Sequence, residues 1–191
     1  RRQRQMCIRD RHLMNELFEK KNLPFYKFGD AIYLAKIETK YWIEYICKRF
    51  ENTGKHISPE LAEEICRLVD NHSSYVQQLS WLLWIRTINT ATTEQLSYAL
   101  EDILDQNNIL FQSETENLSA YQMNFLKAIV DGIHTKFSSK EVISKYNLGT
   151  SANIVRLKNA LLQKELIETN GKEIVLADPV FGVWFKKEML Y

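Results

Sequence analysis

The stretch SAYQMNFLKAIVDGIHTKFSSKEVISKYNLGTSANIVRLKNALLQKELIETNGKEIVL, residues 119–176, decides the fold of the C-terminal part of the chain. At 119–122 and at 138–141 a serine is followed three residues later by Gln or Glu, which is the pattern of a capping box. In this motif the serine side chain accepts a hydrogen bond from the third helical amide, and the Gln or Glu side chain bonds back to the serine amide. We therefore expect helices to begin at Ser119 and Ser138. A third helical pattern runs from 150 to 165.

Two short apolar runs, 165–168 and 173–176, follow these helices and flank Asn170-Gly171. Asn-Gly supplies the positive φ angles of a type I′ turn, so the pattern predicts a β-hairpin. Three short helices followed by a hairpin is the order of a winged helix, a fold that usually binds DNA or another protein. Asp178-Pro179 then predicts the start of a last short helix.

The composition excludes several classes of protein. With 45% apolar and 12% aromatic residues, the chain has enough material for a core and is not expected to be disordered. No apolar run reaches the roughly 20 residues that span a bilayer, so no membrane partner is expected. No apolar segment of a secretory signal follows the basic N-terminus, which makes the cytoplasm the expected location. The cysteines, Cys7, Cys47 and Cys66, are too few for a disulfide scaffold.

No catalytic or metal-binding residue is predicted. The 191 residues contain six glycines but no G-x-x-x-x-G-K-[ST] phosphate loop and no G-x-G-x-x-G dinucleotide loop. They also lack H-E-x-x-H, Cys-x-x-Cys and G-x-S-x-G.

The formal net charge of +1 conceals an uneven distribution. Residues 1–11 hold five arginines and one aspartate, and residues 120–191 hold ten basic and seven acidic side chains. Residues 12–119 are therefore acidic. The mildly basic C-terminal part is compatible with weak phosphate contact but does not establish it.

Residues 4–11, Arg-Gln-Met-Cys-Ile-Arg-Asp-Arg, resemble the translation of a transposase adapter used in sequencing libraries. On this interpretation residues 1–11 are an artefact, and the natural sequence is a fragment that is cut at its N-terminus near His12. The alternative is a basic tail that contacts nucleic acid.

The region between the adapter-like segment and the winged helix is predicted to be largely helical. Residues 31–35 form the one expected exception, a buried strand, and because a lone strand needs partners we expect a missing N-terminal sheet. Residues 40–108 predict four helices, one of which is expected to begin at the cap Ser58-Pro59 and another at the capping box Thr92–Gln95. Residues 105–116 are mostly polar, with a Leu110-Phe111 pair, and are interpreted as a partly ordered linker.

The third helix of the winged helix is the candidate recognition helix. Its apolar positions predict one core-facing side and leave a polar side that carries Asn153 and Arg156, residue types that contact base edges and phosphates. Lys158 and Lys172 are expected to add backbone contacts from the helix and the wing. The competing interpretation is a solvated polar face, or a surface that packs on another domain.

The chain also resembles the C-terminal half of a prokaryotic ATPase family, related to AAA+ and STAND ATPases and often called archaeal-type ATPases. The resemblance spans about 12–189 and is carried by Phe25-Tyr26-Lys27-Phe28-Gly29-Asp30, Tyr33-Leu34-Ala35-Lys36-Ile37, Arg49-Phe50-Glu51-Asn52-Thr53-Gly54-Lys55, Asp70-Asn71-His72, Tyr75-Val76-Gln77-Gln78-Leu79, Ser138-Ser139-Lys140-Glu141, Leu148-Gly149, Ala152-Asn153, Asp178-Pro179-Val180-Phe181 and Trp184-Phe185.

The resemblance implies a domain order and a cofactor. Residues 12–37 would be the last helix and strand of a P-loop ATPase core, 38–118 a helical AAA+-type lid with its linker, and 119–191 the winged-helix domain. The Walker motifs that hold ATP and Mg²⁺ in the parent protein would precede His12. The part present here would not hydrolyse ATP by itself.

Three residues are candidates for nucleotide contact. Asn71-His72 matches a lid turn where relatives have Asn-His-Pro, although Ser73 here replaces the proline and loses its fixed φ. Arg86 is a candidate phosphate-facing lid arginine, and the alternative is that it stacks or extends along an apolar surface. Trp81 and Trp84 are expected in the core or at a lid–core interface. We do not expect them to stack on bases, since no basic residue is interleaved with them.

Three functions remain open at this point. The preferred one is a C-terminal piece of an ATP-binding switch whose winged helix contacts double-stranded DNA or a protein partner. The alternative is a stand-alone winged-helix transcriptional regulator with a helical dimerisation region. A third is an interaction module that binds neither DNA nor nucleotide.

Overall fold

The computed structural model describes residues 35–189, and from Lys36 onward these belong to one compact unit. The described residues do not include 1–34. The predictions for 1–11, and those for 12–37 apart from its last three residues, therefore lie outside them, as does most of the strand predicted at 31–35. Residues 35–38 carry neither helix nor strand.

Helices dominate the described residues, and one antiparallel hairpin accompanies them, which confirms the mainly α fold class. In chain order the elements are α1 (Thr39–Glu51), α2 (Pro59–Leu68), α3 (Ser73–Arg86), α4 (Thr93–Glu116), α5 (Ala120–Val130), α6 (Lys140–Lys145), α7 (Ser151–Gln163), β1 (Ile167–Asn170), β2 (Glu173–Leu176) and α8 (Pro179–Met189).

The four helices predicted between 40 and 108 are α1 to α4, and two of them begin at predicted caps. The Ser58 side chain accepts from the Leu61 amide at 3.2 Å, ahead of a proline at the first helical position. Thr92 and Gln95 form a complete capping box at the start of α4. Each satisfied amide removes one of the unpaired donors that every helix start carries.

The linker predicted at 105–116 is wrong, because α4 continues as one helix to Glu116. Phe111 explains the difference. Its side chain is only 1% exposed and packs on two aromatic rings of α8. A single large buried side chain stabilises a polar segment that propensity alone would leave frayed.

The C-terminal part has the winged-helix order: α5, α6 and α7, then the hairpin, then α8. The capping box of Ser119 and Gln122 is present at the start of α5. The cap of α6 lies one residue later than expected, since Ser139 rather than Ser138 accepts from the Val142 amide at 3.3 Å. The third helical residue is then a valine, so this second capping box does not form.

The hairpin is present, but its turn differs from the prediction. Asn170 pairs with Glu173, which leaves Gly171 and Lys172 as the two loop residues. Gly171 has φ +60°, whereas neither neighbour has a positive φ. This matches a type II′ turn, with glycine at the first central position, rather than type I′. His134 adds to the sheet edge, since its carbonyl accepts from the Ile174 amide at 2.9 Å.

The helical part and the winged helix share a junction between α4 and α8. Phe111 of α4 lies 5.4 Å from the Phe181 ring and 5.6 Å from the Trp184 ring, between centroids. Trp184 also donates from Nε1 to Asn108 Oδ1 at 2.8 Å. We call these four residues the aromatic junction.

A second link joins α3 to the start of α8. The Tyr75 hydroxyl donates to Asp178 Oδ2 at 2.7 Å. The other oxygen of that carboxylate caps α8, as predicted, by accepting from the amides of Val180 and Phe181. One aspartate therefore both starts α8 and ties it to the helical part.

Candidate functional site

The outer side of α7 is the first candidate site. Ile154, Leu157 and Leu161 are buried and fix the orientation of the helix, as the periodicity predicted. Arg156 and Asn159, one helical turn apart, are exposed on the opposite side. The structure therefore presents a guanidinium and an amide side by side on the exposed surface of α7.

Asn153 has a structural contact that the sequence did not indicate. Its Nδ2 donates to the Leu148 carbonyl at 3.0 Å, and its backbone amide is capped by Thr150 Oγ1 at 3.4 Å. The side chain is half-buried against the turn at Gly149, whose φ is +82°. Contact with a base would require breaking the bond to Leu148.

The two candidate lysines lie in different settings. Lys158 is half-buried on α7, and Lys172 is exposed in the hairpin turn. Glu165 lies just after α7 and Glu173 follows Lys172 directly, so carboxylates accompany these cations. The surface around α7 is therefore only weakly basic, which favours few phosphate contacts and low affinity for any polyanion.

The turn that precedes α3 holds Asn71 and His72. Asn71 has φ +54°, and its amide exchanges hydrogen bonds with Thr39 Oγ1 on α1 at 3.0 and 3.2 Å. His72 is the N-cap residue of α3 without a side-chain cap bond, and its ring lies 4.9 Å from the Tyr75 ring. A series of side-chain contacts links this turn to α8, since the His72 ring contacts the Tyr75 ring and the Tyr75 hydroxyl donates to Asp178.

A cleft of about 430 Å³ adjoins this turn and is mostly acidic. Its lining contains four carboxylates and one guanidinium; the residues are Thr39, Glu60, Glu63, Glu64, Cys66, Arg67, Asp70 and Asn71. Arg67 is engaged by Glu64 through two hydrogen bonds, which lower the pKa of that carboxyl. This charge pattern repels a phosphate group.

Arg86 lies at the far end of α3 from His72. The helix has 14 residues, so the two lie about 21 Å apart at 1.5 Å per residue. The Arg86 guanidinium pairs with Asp102 of α4, and both side chains are about one-third exposed. This pair ties α3 to α4, and it does not point Arg86 to the turn at Asn71.

Asn71, His72 and Arg86 therefore do not form a cradle for a triphosphate by themselves. Two of them adjoin an acidic cleft, and the third is paired at the opposite helix end. These three residues are therefore at most the periphery of a nucleotide site.

The sequence missed an aromatic cleft of about 380 Å³ between α1 and α3. Half of its lining is aromatic; the residues are Trp42, Tyr45, Ile46, Arg49, Phe50, Thr53, Gln77, Ser80, Trp81 and Trp84. In the sequence no basic residue is interleaved with Trp81 and Trp84. In space, however, Arg49 lies at 5.2 Å from the Tyr45 ring and Lys55 at 4.2 Å from the Trp84 ring.

Comparisons with known proteins concern the fold. Residues 109–187 match the family model described as a probable winged helix domain. Among solved structures the chain is similar to the Walker-type ATPase PABY2304 of Pyrococcus abyssi, with a TM-score of 0.65 and 17% sequence identity. That similarity covers 91% of this chain and 50% of the ATPase, so the chain spans about half the length of its structural neighbour. No curated protein matches the sequence.

These findings establish a winged helix and a shared fold with half of a Walker-type ATPase. At 17% identity the likeness concerns the fold alone. None of the helices within 35–189 combines the length and apolarity that a bilayer crossing needs.

Proposed function

We propose that this chain is the lid and winged-helix half of an ATP-dependent switch related to AAA+ and STAND ATPases, with the outer side of α7 as its output surface. The similarity to half of a Walker-type ATPase supports the first part. In this proposal ATP and Mg²⁺ are held by a P-loop core outside the described residues.

The observation that carries the proposal is the mechanical continuity between the two parts. The aromatic junction and the bond from Tyr75 to Asp178 connect α3 and α4 to α8. A buried aromatic cluster and a hydrogen bond to a carboxylate resist separation, because each must be broken before the parts can move independently. A displacement of the helical part would therefore move α7 as well.

The winged helix is suited to passing that displacement to a partner. Arg156 and Asn159 are exposed on α7, and Lys172 extends from the wing. The partner is double-stranded DNA if Arg156 contacts phosphate, and a protein if it does not. The second candidate function, a stand-alone DNA-binding regulator, rests on the same exposed arginine.

A duplex-binding titration identifies the partner class. A fluorescent 20-base-pair duplex is titrated with the chain at several salt concentrations, and Arg156→Ala is compared with Lys186→Ala, an exposed lysine on α8. If Arg156 contacts one phosphate, its removal lowers the slope of log K against log [salt] by about 0.9, and Lys186→Ala leaves the slope unchanged. Equal slopes in all three proteins exclude duplex DNA as the partner of α7.

The genomic reading frame upstream of His12 separates the two candidate functions. An in-frame phosphate loop, G-x-x-x-x-G-K-[ST], supports the switch. A start codon shortly upstream with no such loop contradicts the switch and supports the regulator.

A further inference from the structure

The aromatic cleft between α1 and α3 has a role that the winged helix does not explain. Residues 42, 45, 46, 49 and 50 lie on one side of α1, residue 53 lies in the turn that follows it, and 77, 80, 81 and 84 lie on one side of α3. Their spacing of three and four residues is that of a continuous helix face. The cleft thus has two rigid walls, and its volume of about 380 Å³ lies within the range of small-molecule sites.

Trp81 offers an open stacking surface at the mouth of this cleft. Its side chain is 57% exposed, and no other aromatic ring or cation packs on it within the part of the chain that the structure describes. Tyr45 on the opposite wall is 44% exposed. Exposed aromatic rings facing one cleft are typical of sites that stack on planar rings, and every nucleobase has such a face.

Arg49 is the charged residue of this cleft, and the lining contains no carboxylate. Within residues 35–189 its guanidinium has no acidic partner, and it lies 5.2 Å from the centre of the Tyr45 ring. Beside a stacked base, an unpaired guanidinium is placed to bind an anionic oxygen. Electrostatics therefore favours an anion over a cation as the occupant.

Trp42 of α1 also lines the cleft. The Trp42 side chain is 5% exposed, and its buried Nε1 has no acceptor among the described residues. Trp84, in contrast, donates from Nε1 to Thr53 Oγ1 at 2.9 Å.

We propose that this cleft binds a nucleobase that carries a phosphate, with the base stacked on Trp81 and the phosphate at Arg49. The base has two sources, a free nucleoside monophosphate or a single-stranded nucleic acid, and the chemistry is shared. The cleft lies away from the turn at His72, since Trp81 is nine residues further along α3, or about 13 Å. It also does not involve α7, so the proposal is independent of the function proposed above.

The test measures binding to the full chain by fluorescence anisotropy of a labelled 12-nucleotide oligothymidylate, and by intrinsic tryptophan quenching with adenosine monophosphate, each up to about 1 mM to cover weak non-specific affinities. Trp81→Ala is compared with Ile85→Ala, which removes an equally exposed side chain one turn along α3 outside the lining. Stacking on one aromatic ring accounts for between about fivefold and 150-fold in affinity. We expect that loss in Trp81→Ala and none in Ile85→Ala.

A comparison of Arg49→Ala with Lys48→Ala tests the phosphate contact. Arg49→Ala should lower the slope of log K against log [salt] for the oligonucleotide by about 0.7, the single-strand value for one phosphate. Lys48→Ala, an adjacent exposed cation outside the lining, should not change it. Equal effects of the two variants would mean general surface attraction and would overturn the proposal.

The two probes distinguish the source. If both adenosine monophosphate and the oligonucleotide bind, and Trp81→Ala lowers the affinity for each to a similar extent, the site takes a mononucleotide. If the oligonucleotide alone binds and Trp81→Ala lowers its affinity, the site takes a single strand. No binding of either probe overturns the proposal, and so does binding that Trp81→Ala leaves unchanged. In that case the cleft belongs to another class of partner, such as an apolar peptide.

Discussion

Phe111→Ala is the sharpest test of how the two parts of the molecule are joined. The side chain is 1% exposed, and its ring contacts the Phe181 and Trp184 rings at 5.4 and 5.6 Å. Truncating a buried phenylalanine to alanine costs about 3–5 kcal/mol through lost burial and the cavity left behind. Each aromatic pair is worth about 0.5–1.5 kcal/mol, which places this site at the upper end, about 4–5 kcal/mol.

Urea denaturation measures the free energy of unfolding and thermal denaturation measures Tm, each followed by far-UV circular dichroism and by tryptophan fluorescence. For a chain of this size, about 4–5 kcal/mol corresponds to a fall in Tm of roughly 8–20 °C. The matched control is Ile109→Ala, two residues earlier on α4, whose side chain is 82% exposed and which should change the free energy of unfolding by less than about 0.5 kcal/mol. Equal effects of the two substitutions would show that 105–116 is a linker after all and would refute the aromatic junction.

Three further predictions follow from single residues. Tyr75→Phe removes the hydrogen bond to the Asp178 carboxylate and should lower the free energy of unfolding by about 1.5–3 kcal/mol. In a double-mutant cycle, most of this loss should be absent when Asp178 is already alanine; additive losses from the two substitutions would contradict the bond. Gly171→Ala should lower stability in thermal denaturation by about 1–2 kcal/mol because of its φ of +60° alone, since an added Cβ meets no atom within 4 Å; an unchanged Tm would argue against this turn. Burial raises the pKa of the Cys66 thiol to about 11, so only about one thiol in a thousand is ionised at pH 8. Iodoacetamide should therefore label Cys66 only after unfolding, which mass spectrometry detects; rapid labelling of the native protein would contradict the burial of Cys66.

Local signals in the sequence predicted most of the fold, because they act within a few residues. The caps at Ser58, Thr92, Ser119 and Asp178 depend on one side chain and the amides that follow it. The apolar face of α7 depends on helical periodicity alone. These features required no knowledge of the tertiary structure.

Features that depend on distant contacts were missed or misplaced. The linker prediction failed because Phe111 is held by rings about 70 residues away, and sequence separation of that size leaves no local pattern. The hairpin register moved the turn from Asn170-Gly171 to Gly171-Lys172, a shift of one residue that the sequence leaves open. Both outcomes were decided by packing against other elements.

The candidate sites show the same division. The exposure of Arg156 and Lys172 follows from the helix face and the turn, and residue types could indicate it. Other contacts depend on partners that the fold brings together. Arg86 pairs with Asp102, Asn153 binds the Leu148 carbonyl, and Arg49 lines one cleft with the tryptophans of α3. A linear search for basic residues beside Trp81 could not find an arginine on another helix.

The central claim is that the helical part and the winged helix move as one body. Nitrogen-15 NMR relaxation on the intact chain tests it directly, by comparing rotational correlation times for amides in α1–α4 with those in α5–α8. We predict the same correlation time for both sets, because the aromatic junction and the Tyr75–Asp178 bond hold them together. Two distinct and shorter correlation times would show independent tumbling and would contradict the proposed transmission from one part to the other.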